Sequence, residues 1–181
     1  MYAELHLDNA DLKYWIEEFP ILSDVEIQTD STRINREDIG KKGYPYKQLA
    51  LEVYLHKNAG NYALLGMEYM PDEGNELTLN ISYVEENKIH YQSELTKYNG
   101  YKYVGLPEEC KELIINTIKS NHSIGGGSLN IPIAVNCEVG SSPIIFGKVT
   151  DILLEVLSED KNEINLELKI QSLYKKHFLE K

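Results

Sequence analysis

Two segments in the first half of the chain alternate between apolar and polar residues, and this is the period-two pattern of a half-buried β-strand. They are residues 47–56 (KQLALEVYLH) and 76–85 (ELTLNISYVE). Residues 61–70 are predicted to form a third strand between them, and residues 71–75 (PDEGN) have the composition of a turn. Short connections and one polar face per strand favour a meandering antiparallel sheet here.

The N-terminal region is predicted to add a strand followed by a helix. Residues 2–7 alternate as a short strand. Residues 8–20 place Leu12, Trp15, Ile16 and Phe19 at helical spacing, with Asp8 or Asn9 as the cap and Pro20 as the stop. On this helix, Trp15 is expected to be a core or docking residue. Further strands are predicted at residues 25–30, before a polar loop that ends at Gly43, and at residues 88–95.

The second half of the chain contains two amphipathic helices. Residues 107–120 begin with proline, carry Glu108 and Glu109 at the positive end of the helix dipole and Lys119 near the negative end. Residues 143–157 repeat apolar side chains at helical spacing, and strands are predicted at 129–139 and 164–170. The pattern predicts one α+β domain over residues 1–181. It has a mostly antiparallel sheet, two C-terminal-half helices on one face and an N-terminal strand–helix addition.

The charge of the chain argues against nucleic acid as a partner. Twenty-nine acidic residues against 18 basic residues give a formal net charge of −11, which repels phosphate backbones. Two small basic clusters are expected to be solvated surface, namely Arg33, Arg36, Lys41 and Lys42 in a loop, and Lys175, Lys176 and His177 near the C-terminus.

Neither a metal nor a cofactor is expected, and no catalytic residue is assigned. Cys110 and Cys137 have mainly apolar neighbours and are predicted to be buried and reduced. The five histidines lack metal-ligand spacing, and the chain has no Gly-x-Ser-x-Gly elbow. The first residues do not resemble a signal peptide and no apolar stretch is long enough for a membrane span, so a cytoplasmic protein without a membrane role is expected.

The order of features from Leu106 to Leu157 matches a pattern found in one translation factor. A helix that begins LPEE is followed by a glycine break, the strand LNIPIAVNCEV, the pair Ser141-Ser142 and a helix with an early Phe146. This resembles the fourth domain of elongation factor G over roughly residues 104–172, and only topologically from about residue 76. The resemblance implies a ribosomal-protein-type α+β fold, a stand-alone relative, and an exit strand at 164–170.

Two departures from that family bear on function. The longer loop that precedes the serine pair in the family is absent, since Glu138-Val139-Gly140 leads directly into Ser141. The chain also lacks the GxxxxGK[ST] phosphate loop, which excludes a GTPase within this polypeptide.

Two groups of residues are candidate sites. The backbone of Gly140, Ser141 and Ser142 precedes a helix and offers amides to a small anion, although a serine there also serves as an ordinary helix cap. Tyr44, Tyr46, Tyr98, Tyr101 and Tyr103 form two tyrosine clusters that either contact a partner or cover sheet edges.

The sequence thus predicts a non-enzymatic protein-interaction domain, accessory or inhibitory, with a protein partner. Two alternatives stay open. One is a small-molecule or phosphate-binding enzyme that uses the Gly140–Ser142 turn. The other, implied by the resemblance alone, is a translation-associated factor.

Overall fold

The computed structural model describes residues 1–22, 28–36, 45–57, 61–83, 89–95 and 100–180. Its strands are β1 (Tyr2–Leu7), β2 (Ala10–Ile16), β3 (Gln28–Asn35), β4 (Gln48–Leu55), β5 (Tyr62–Pro71), β6 (Glu76–Tyr83), β7 (Lys102–Val104) and β8 (Gly127–Cys137). Its helices are α1 (Glu108–Ser120), α2 (Pro143–Leu157) and α3 (Leu166–Tyr174), and a π-helical turn, Lys175–Leu179, continues α3.

All eight strands belong to one sheet, in the order β1-β2-β4-β5-β8-β6-β3, and β7 also pairs with β8. The only parallel pair among the described strands is β6 with β8. β8 is the centre of the sheet, because β5 runs along one side of it and β6 and β7 share the other side. The α+β class with a mostly antiparallel sheet is confirmed.

The helices lie on one face of the sheet and enclose the larger core. α2 lies against β4 and β5, and both α1 and α3 lie against α2. α2 is buried along most of its length, and Phe146 on it is fully buried. The predicted helices 107–120 and 143–157 are confirmed as α1 and α2. Proline at the start of each region fixed where helix could begin.

The opposite face of the sheet, called the second face here, has a smaller core of its own. It consists of Trp15, Ala50, Tyr62, Leu64, Val104, Ile133, Val135 and Cys137. Phe19, Leu22, Ile89 and Tyr91 pack against this core. The described chain covers part of the second face with loop segments, and these segments position the candidate site.

The predicted N-terminal helix is wrong, because residues 10–16 form β2 of a hairpin with β1. Asp8 and Asn9 are the turn of this hairpin and not a helix cap. Leu12 points to the larger core, whereas Trp15 points to the second face. Because β2 carries apolar residues on both faces, their spacing matched that of the single apolar face of an amphipathic helix.

The predicted last strand, 164–170, is also wrong, because Leu166–Tyr174 is the helix α3. The side chain of Asn165 caps it by accepting a hydrogen bond of 3.1 Å from the amide of Leu168. Leu168 is 62% exposed, while Leu166, Ile170 and Leu173 are buried at helical spacing. The exit strand implied by the resemblance to elongation factor G is therefore a helix.

The remaining strands form where predicted and differ mainly at their ends, but the predicted meander is wrong, because β8 lies between β5 and β6. Strands 47–56, 61–70, 76–85 and 129–139 correspond to β4, β5, β6 and β8. Of the strand predicted at 25–30, residues 25–27 lie outside the described residues, and β3 continues to Asn35 into the predicted loop. Of the strand predicted at 88–95, residue 88 is outside them, and His90 forms a single bridge with Tyr103.

Three other predictions can be compared with the described residues. Cys110 and Cys137 are buried and not joined in a disulfide, as predicted. Arg36 is not surface, because it is buried against the end of α1, where its guanidinium donates to the carbonyls of Asn121 (2.6 Å) and Ile118. Lys41 and Lys42 lie outside the described residues. Within the described ranges no helix is both long and apolar enough to cross a membrane.

Candidate interaction site

A groove of about 400 Å³ opens on the second face beside the end of β2. Three parts of the chain line it, namely Tyr2, Lys13 and Trp15 from the β1–β2 hairpin, residues 18–21, and Tyr91, Gln92 and Glu94. Ile21 is 96% exposed and Tyr2 is 56% exposed. The groove therefore has an aromatic floor made of the buried Trp15 and the partly exposed Tyr2, beside the exposed Ile21.

Residues 17–22 form one wall of the groove, and their position depends on the left-handed backbone conformation of Glu17 and on the space left by Gly66. Glu17, the residue after β2, has φ of 55°, a left-handed conformation that residues other than glycine rarely adopt. Further along, Phe19 lies over Gly66 in β5. A methyl group at Gly66 would come within 2.2 Å of Ile133 Cγ2 and 2.9 Å of the Phe19 ring. Glycine at this position therefore allows the Phe19 ring to approach the backbone of β5 closely.

The opposite wall is the segment 89–95, called the strap here. The amide of Tyr91 donates to the carbonyl of Lys102, and the amide of Val104 donates to the carbonyl of Ile89, both at 2.9 Å. The strap is thus attached to β7 by two backbone hydrogen bonds. Ile89 and Tyr91 pack on the core of the second face.

Lys13 connects the floor of the groove with the strap. Its side chain is nearly buried, and its ammonium forms ion pairs with Glu4 (3.1 Å) in β1 and with Glu94 in the strap. The ammonium also lies 4.2 Å from the ring centroid of Tyr2 and 5.5 Å from that of Trp15. Burial alone would lower the pKa of Lys13, but the hydrogen bonds to Glu94 and Glu4 outweigh it and raise that pKa. Lys13 therefore stays charged and holds the strap in place.

A buried acid lies on the same face, next to Lys13 across the β2–β4 pair. Glu52 is fully buried and accepts a hydrogen bond of 2.7 Å from the hydroxyl of Tyr62. Burial raises the pKa of Glu52, although the hydroxyls of Ser93 and Tyr62 and the ammonium groups of Lys13 and Lys102 act in the opposite direction. Its second carboxylate oxygen has no hydrogen-bond partner among the described residues. Through the hydroxyl of Ser93 the strap is in contact with this buried carboxyl group.

The rim of the groove is acidic. The side chains of Glu18 and Glu94 are 45% and 70% exposed. Together with Glu4 they place three carboxylates around the groove, against the ammonium of Lys13 and the N-terminal amine of Met1, which pairs with Glu18. These three carboxylates and two ammonium groups leave one net negative charge at the rim, and with the net charge of −11 of the chain this favours cationic ligands over anionic ones.

Of the tyrosines singled out in the sequence, the fold separates Tyr46 from Tyr101 and Tyr103. Tyr44 and Tyr98 lie outside the described residues. Tyr46 is buried in the larger core and adds no surface for a partner, because its ring fills the space between sheet and helices. Tyr101, 65% exposed, and Tyr103 lie beside the strap, where the ring of His90 is 5.2 Å and 4.9 Å from theirs.

The turn Gly140–Ser142 is a tightly bonded junction between β8 and α2. The hydroxyl of Ser141 donates to the carbonyl of Tyr62 (2.6 Å) and accepts from the amide of Cys137 (2.7 Å). Ser142 occupies the cap position of α2, yet its side chain makes no cap hydrogen bond. The Ser141 hydroxyl thus links β8 to β5 and is not directed at a ligand.

Sequence reasoning missed the groove, since the strap is distant in the chain from the hairpin and residues 18–21, and Trp15 was assigned to a helix. The only local signal was a lysine among apolar residues at position 13, which in a strand requires acidic partners. Among the described residues no group of three His, Cys, Asp or Glu side chains could hold a metal ion.

No protein-family model, no curated protein and no solved structure matched this chain. The α+β fold and the groove are therefore described from the chain itself, and the resemblance to the fourth domain of elongation factor G stays a prediction.

Proposed function

We propose that this chain is a non-enzymatic protein-interaction domain that receives a segment of a partner protein in the groove of the second face. The observation that carries the proposal is the combination of an aromatic floor, Tyr2 and Trp15, with the exposed Ile21 and an acidic rim. Aromatic residues beside exposed apolar residues, rimmed by charge, are typical of contact surfaces.

The energetics of the groove support a partner segment that covers Ile21 with carbon-rich side chains, either aliphatic ones or the methylene stems of lysine and arginine. Ile21 is almost entirely in contact with water, and covering an aliphatic side chain of this size contributes about 1.5–3 kcal/mol. The strap and the hairpin are held by hydrogen bonds and ion pairs before any partner arrives. Because its walls are preformed, the groove loses little conformational entropy on binding.

The proposal is tested by comparing two surface variants of the tagged full-length chain. Ile21→Glu places a charge on the groove, whereas Val139→Glu makes the same kind of change at another exposed apolar residue, which is 80% exposed and lies in the β8–α2 turn. After chemical crosslinking in the native lysate, quantitative mass spectrometry measures which proteins are recovered in stoichiometric amounts and which residues are crosslinked.

The expected result is a partner that crosslinks next to residues 18–21 or the strap, and that is recovered with the unmodified chain and with Val139→Glu but lost with Ile21→Glu. Equal recovery with both variants would place the contact elsewhere and contradict the proposal. Repeated recovery of no stoichiometric partner would contradict it as well.

A further inference from the structure

The outer side of β1 is an open sheet edge that runs into the groove. β1 is the terminal strand in the sheet order, and among the described residues no strand pairs with its outer side. The carbonyl of Met1 accepts a hydrogen bond of 2.8 Å from the amide of Ile16. Since bonding alternates along an antiparallel pair, Ala3, Leu5 and Leu7 also face β2, and the backbone groups of Tyr2, Glu4 and His6 face outward.

The side-chain contacts agree with this alternation. Tyr2, Glu4 and His6 lie opposite Trp15, Lys13 and Asp11, and all three pairs are in contact on the second face. Opposed residues that do not exchange backbone hydrogen bonds approach each other more closely, which is consistent with contact between these side chains. Within the described parts of the chain no other segment bonds to the outward amides and carbonyls of Tyr2, Glu4 and His6, so these groups can form a ladder with an added strand.

The two faces at this edge differ in chemistry. On the second face the edge carries Glu4 and, behind it, Asp11, with Glu94 of the strap close to Lys13. On the helix face it carries Ala3 and Leu7, which are only partly buried and pack against the larger core. An added strand would need basic side chains on one face and apolar side chains on the other, in alternation.

We propose that the partner segment binds as an extended strand along the outer edge of β1, with alternate basic residues beside Glu4 and the groove and apolar residues beside Ala3 and Leu7. This inference rests on the proposed function and specifies its binding mode and its ligand. Main-chain hydrogen bonds to Tyr2, Glu4 and His6 provide the affinity, and the acidic groups select a cationic segment. β1 has six residues, so the bound stretch spans about 20 Å.

The probe is a fluorescein-labelled heptapeptide of alternating valine and lysine. One control peptide contains glutamate in place of lysine, and another has the same composition with all lysines before all valines. Fluorescence anisotropy measures the affinity, and amide hydrogen exchange followed by NMR locates the contact. The alternating basic peptide is expected to bind and to slow exchange at the amides of Tyr2, Glu4 and His6, whereas both control peptides bind about tenfold more weakly or less.

Three variants separate the backbone contribution from charge. Glu4→Gln removes only the charge, whereas Glu4→Pro also removes an outward amide while leaving the β1–β2 ladder intact. Ser31→Pro is the control on β3, the opposite edge of the sheet. The amide of Arg36 bonds to the carbonyl of Asn75, so even-numbered residues bond to β6 and the amide of Ser31 faces outward. Affinity for the peptide is expected to fall about tenfold further in Glu4→Pro than in Glu4→Gln, and to be unchanged in Ser31→Pro.

Circular dichroism first establishes that each variant is folded. If Glu4→Pro does not fold, two versions of the peptide are used, each N-methylated at a different set of alternate residues. Only alternate amides of a bound strand face β1, so only the version that keeps those amides is expected to bind. Any one of three results would overturn the inference. They are equal binding of the two N-methylated peptide sets, equal affinity of Glu4→Pro and Glu4→Gln for the peptide, and no binding of the basic peptide. The proposed function would still stand in these cases if Ile21→Glu abolished partner recovery, and it would fall independently if Ile21→Glu had no effect.

Discussion

The carboxylate of Glu52 accepts a hydrogen bond of 2.7 Å from the hydroxyl of Tyr62, and both side chains are completely buried on the second face. They are diagonal neighbours across the β4–β5 pair, since Glu52 lies opposite Leu64 and Tyr62 opposite Tyr54. A carboxylate in this position is costly to ionise, and its ionisation is therefore linked to the stability of the fold.

The stability of the protein is predicted to depend on pH through Glu52. Burial raises the pKa of Glu52 in the folded chain above its value in the unfolded chain. At pH values between these two pKa values the folded state binds more protons than the unfolded state. Glu52 therefore makes the free energy of unfolding fall as pH rises through this range. Glu52→Gln cannot ionise. Urea denaturation upward from about pH 4.5 should show the variant gaining stability relative to the unmodified chain, by at most about 1.4 kcal/mol per pH unit.

Glu112→Gln makes the same chemical change on the exposed side of α1 and is the matched control. The quantity compared is the difference in unfolding free energy between each variant and the unmodified chain at each pH. This difference cancels the contributions of Asp11, Glu68 and Glu155, whose lowered pKa values act on stability in the opposite direction. If the Glu52 and Glu112 variants had the same pH dependence, the linkage through Glu52 would be refuted.

Arg36→Met is predicted to destabilise the fold through the end of α1. The guanidinium of Arg36 satisfies the carbonyls of Ile118 and Asn121 in a buried position, and methionine leaves both carbonyls without a donor. The free energy of unfolding in urea should fall by about 2–3 kcal/mol. Arg33→Met on the same strand is the control. Arg33 is 77% exposed and pairs with Glu76 at 3.6 Å, and its loss should cost about 0.5 kcal/mol or less. Equal losses would contradict the buried role of Arg36.

Ser141→Ala is predicted to weaken the junction between β8 and α2. It removes one donor and one acceptor that join the amide of Cys137 to the carbonyl of Tyr62, so unfolding free energy should fall by about 1–3 kcal/mol. Ser142→Ala, which removes no cap hydrogen bond, should change the unfolding free energy by about 0.5 kcal/mol or less.

Thermal denaturation with phosphorylated metabolites tests the alternative function, a phosphate-binding enzyme that uses the Gly140–Ser142 turn. A stabilisation that Ser142→Trp abolishes would favour an anion site at this turn.

Gly66→Ala is predicted to displace the wall of the groove. The added methyl group would collide with Ile133 and with the ring of Phe19, and relief of that strain requires residues 17–22 to move. A loss of about 1–3 kcal/mol is expected, together with a shift in Trp15 fluorescence. Gly147→Ala in α2 is the milder comparison, since its methyl group would approach Leu113 Cδ2 no closer than 3.2 Å and alanine favours helix. An unchanged Trp15 spectrum in Gly66→Ala would contradict the predicted movement.

The sequence predicted the elements whose signals are local. Pro107 and Pro143 marked where helices begin, and the regular alternation of residues 47–56 and 76–85 marked strands. It failed at residues 10–16 because Leu12 and Trp15 are buried on opposite faces of one strand, so that their spacing suggested a helix. It failed at α3 because the exposed Leu168 completed a false alternation.

The candidate site was less predictable than the fold, because it depends on pairs that are distant in the chain. Lys13 is buried only because Glu4 and Glu94 neutralise it, and no local pattern connects position 13 with position 94. Glu52 occupies a polar position of an alternating strand, which sequence reasoning assigns to solvent. In the structure that position is fully buried, next to Ser93 of the strap.

The place of β8 in the sheet has a consequence for how the polypeptide acquires its structure. β1, β2, β4 and β5 lie on one side of β8, and β6 and β3 lie on the other, so residues 1–126 contain both halves of the sheet without the strand that joins them. During synthesis each half is left with an unsatisfied border until residues 127–137 emerge and insert between them. Such late, long-range insertion slows folding and exposes the nascent chain to misassembly, so its yield in cells should depend strongly on chaperones and on growth temperature.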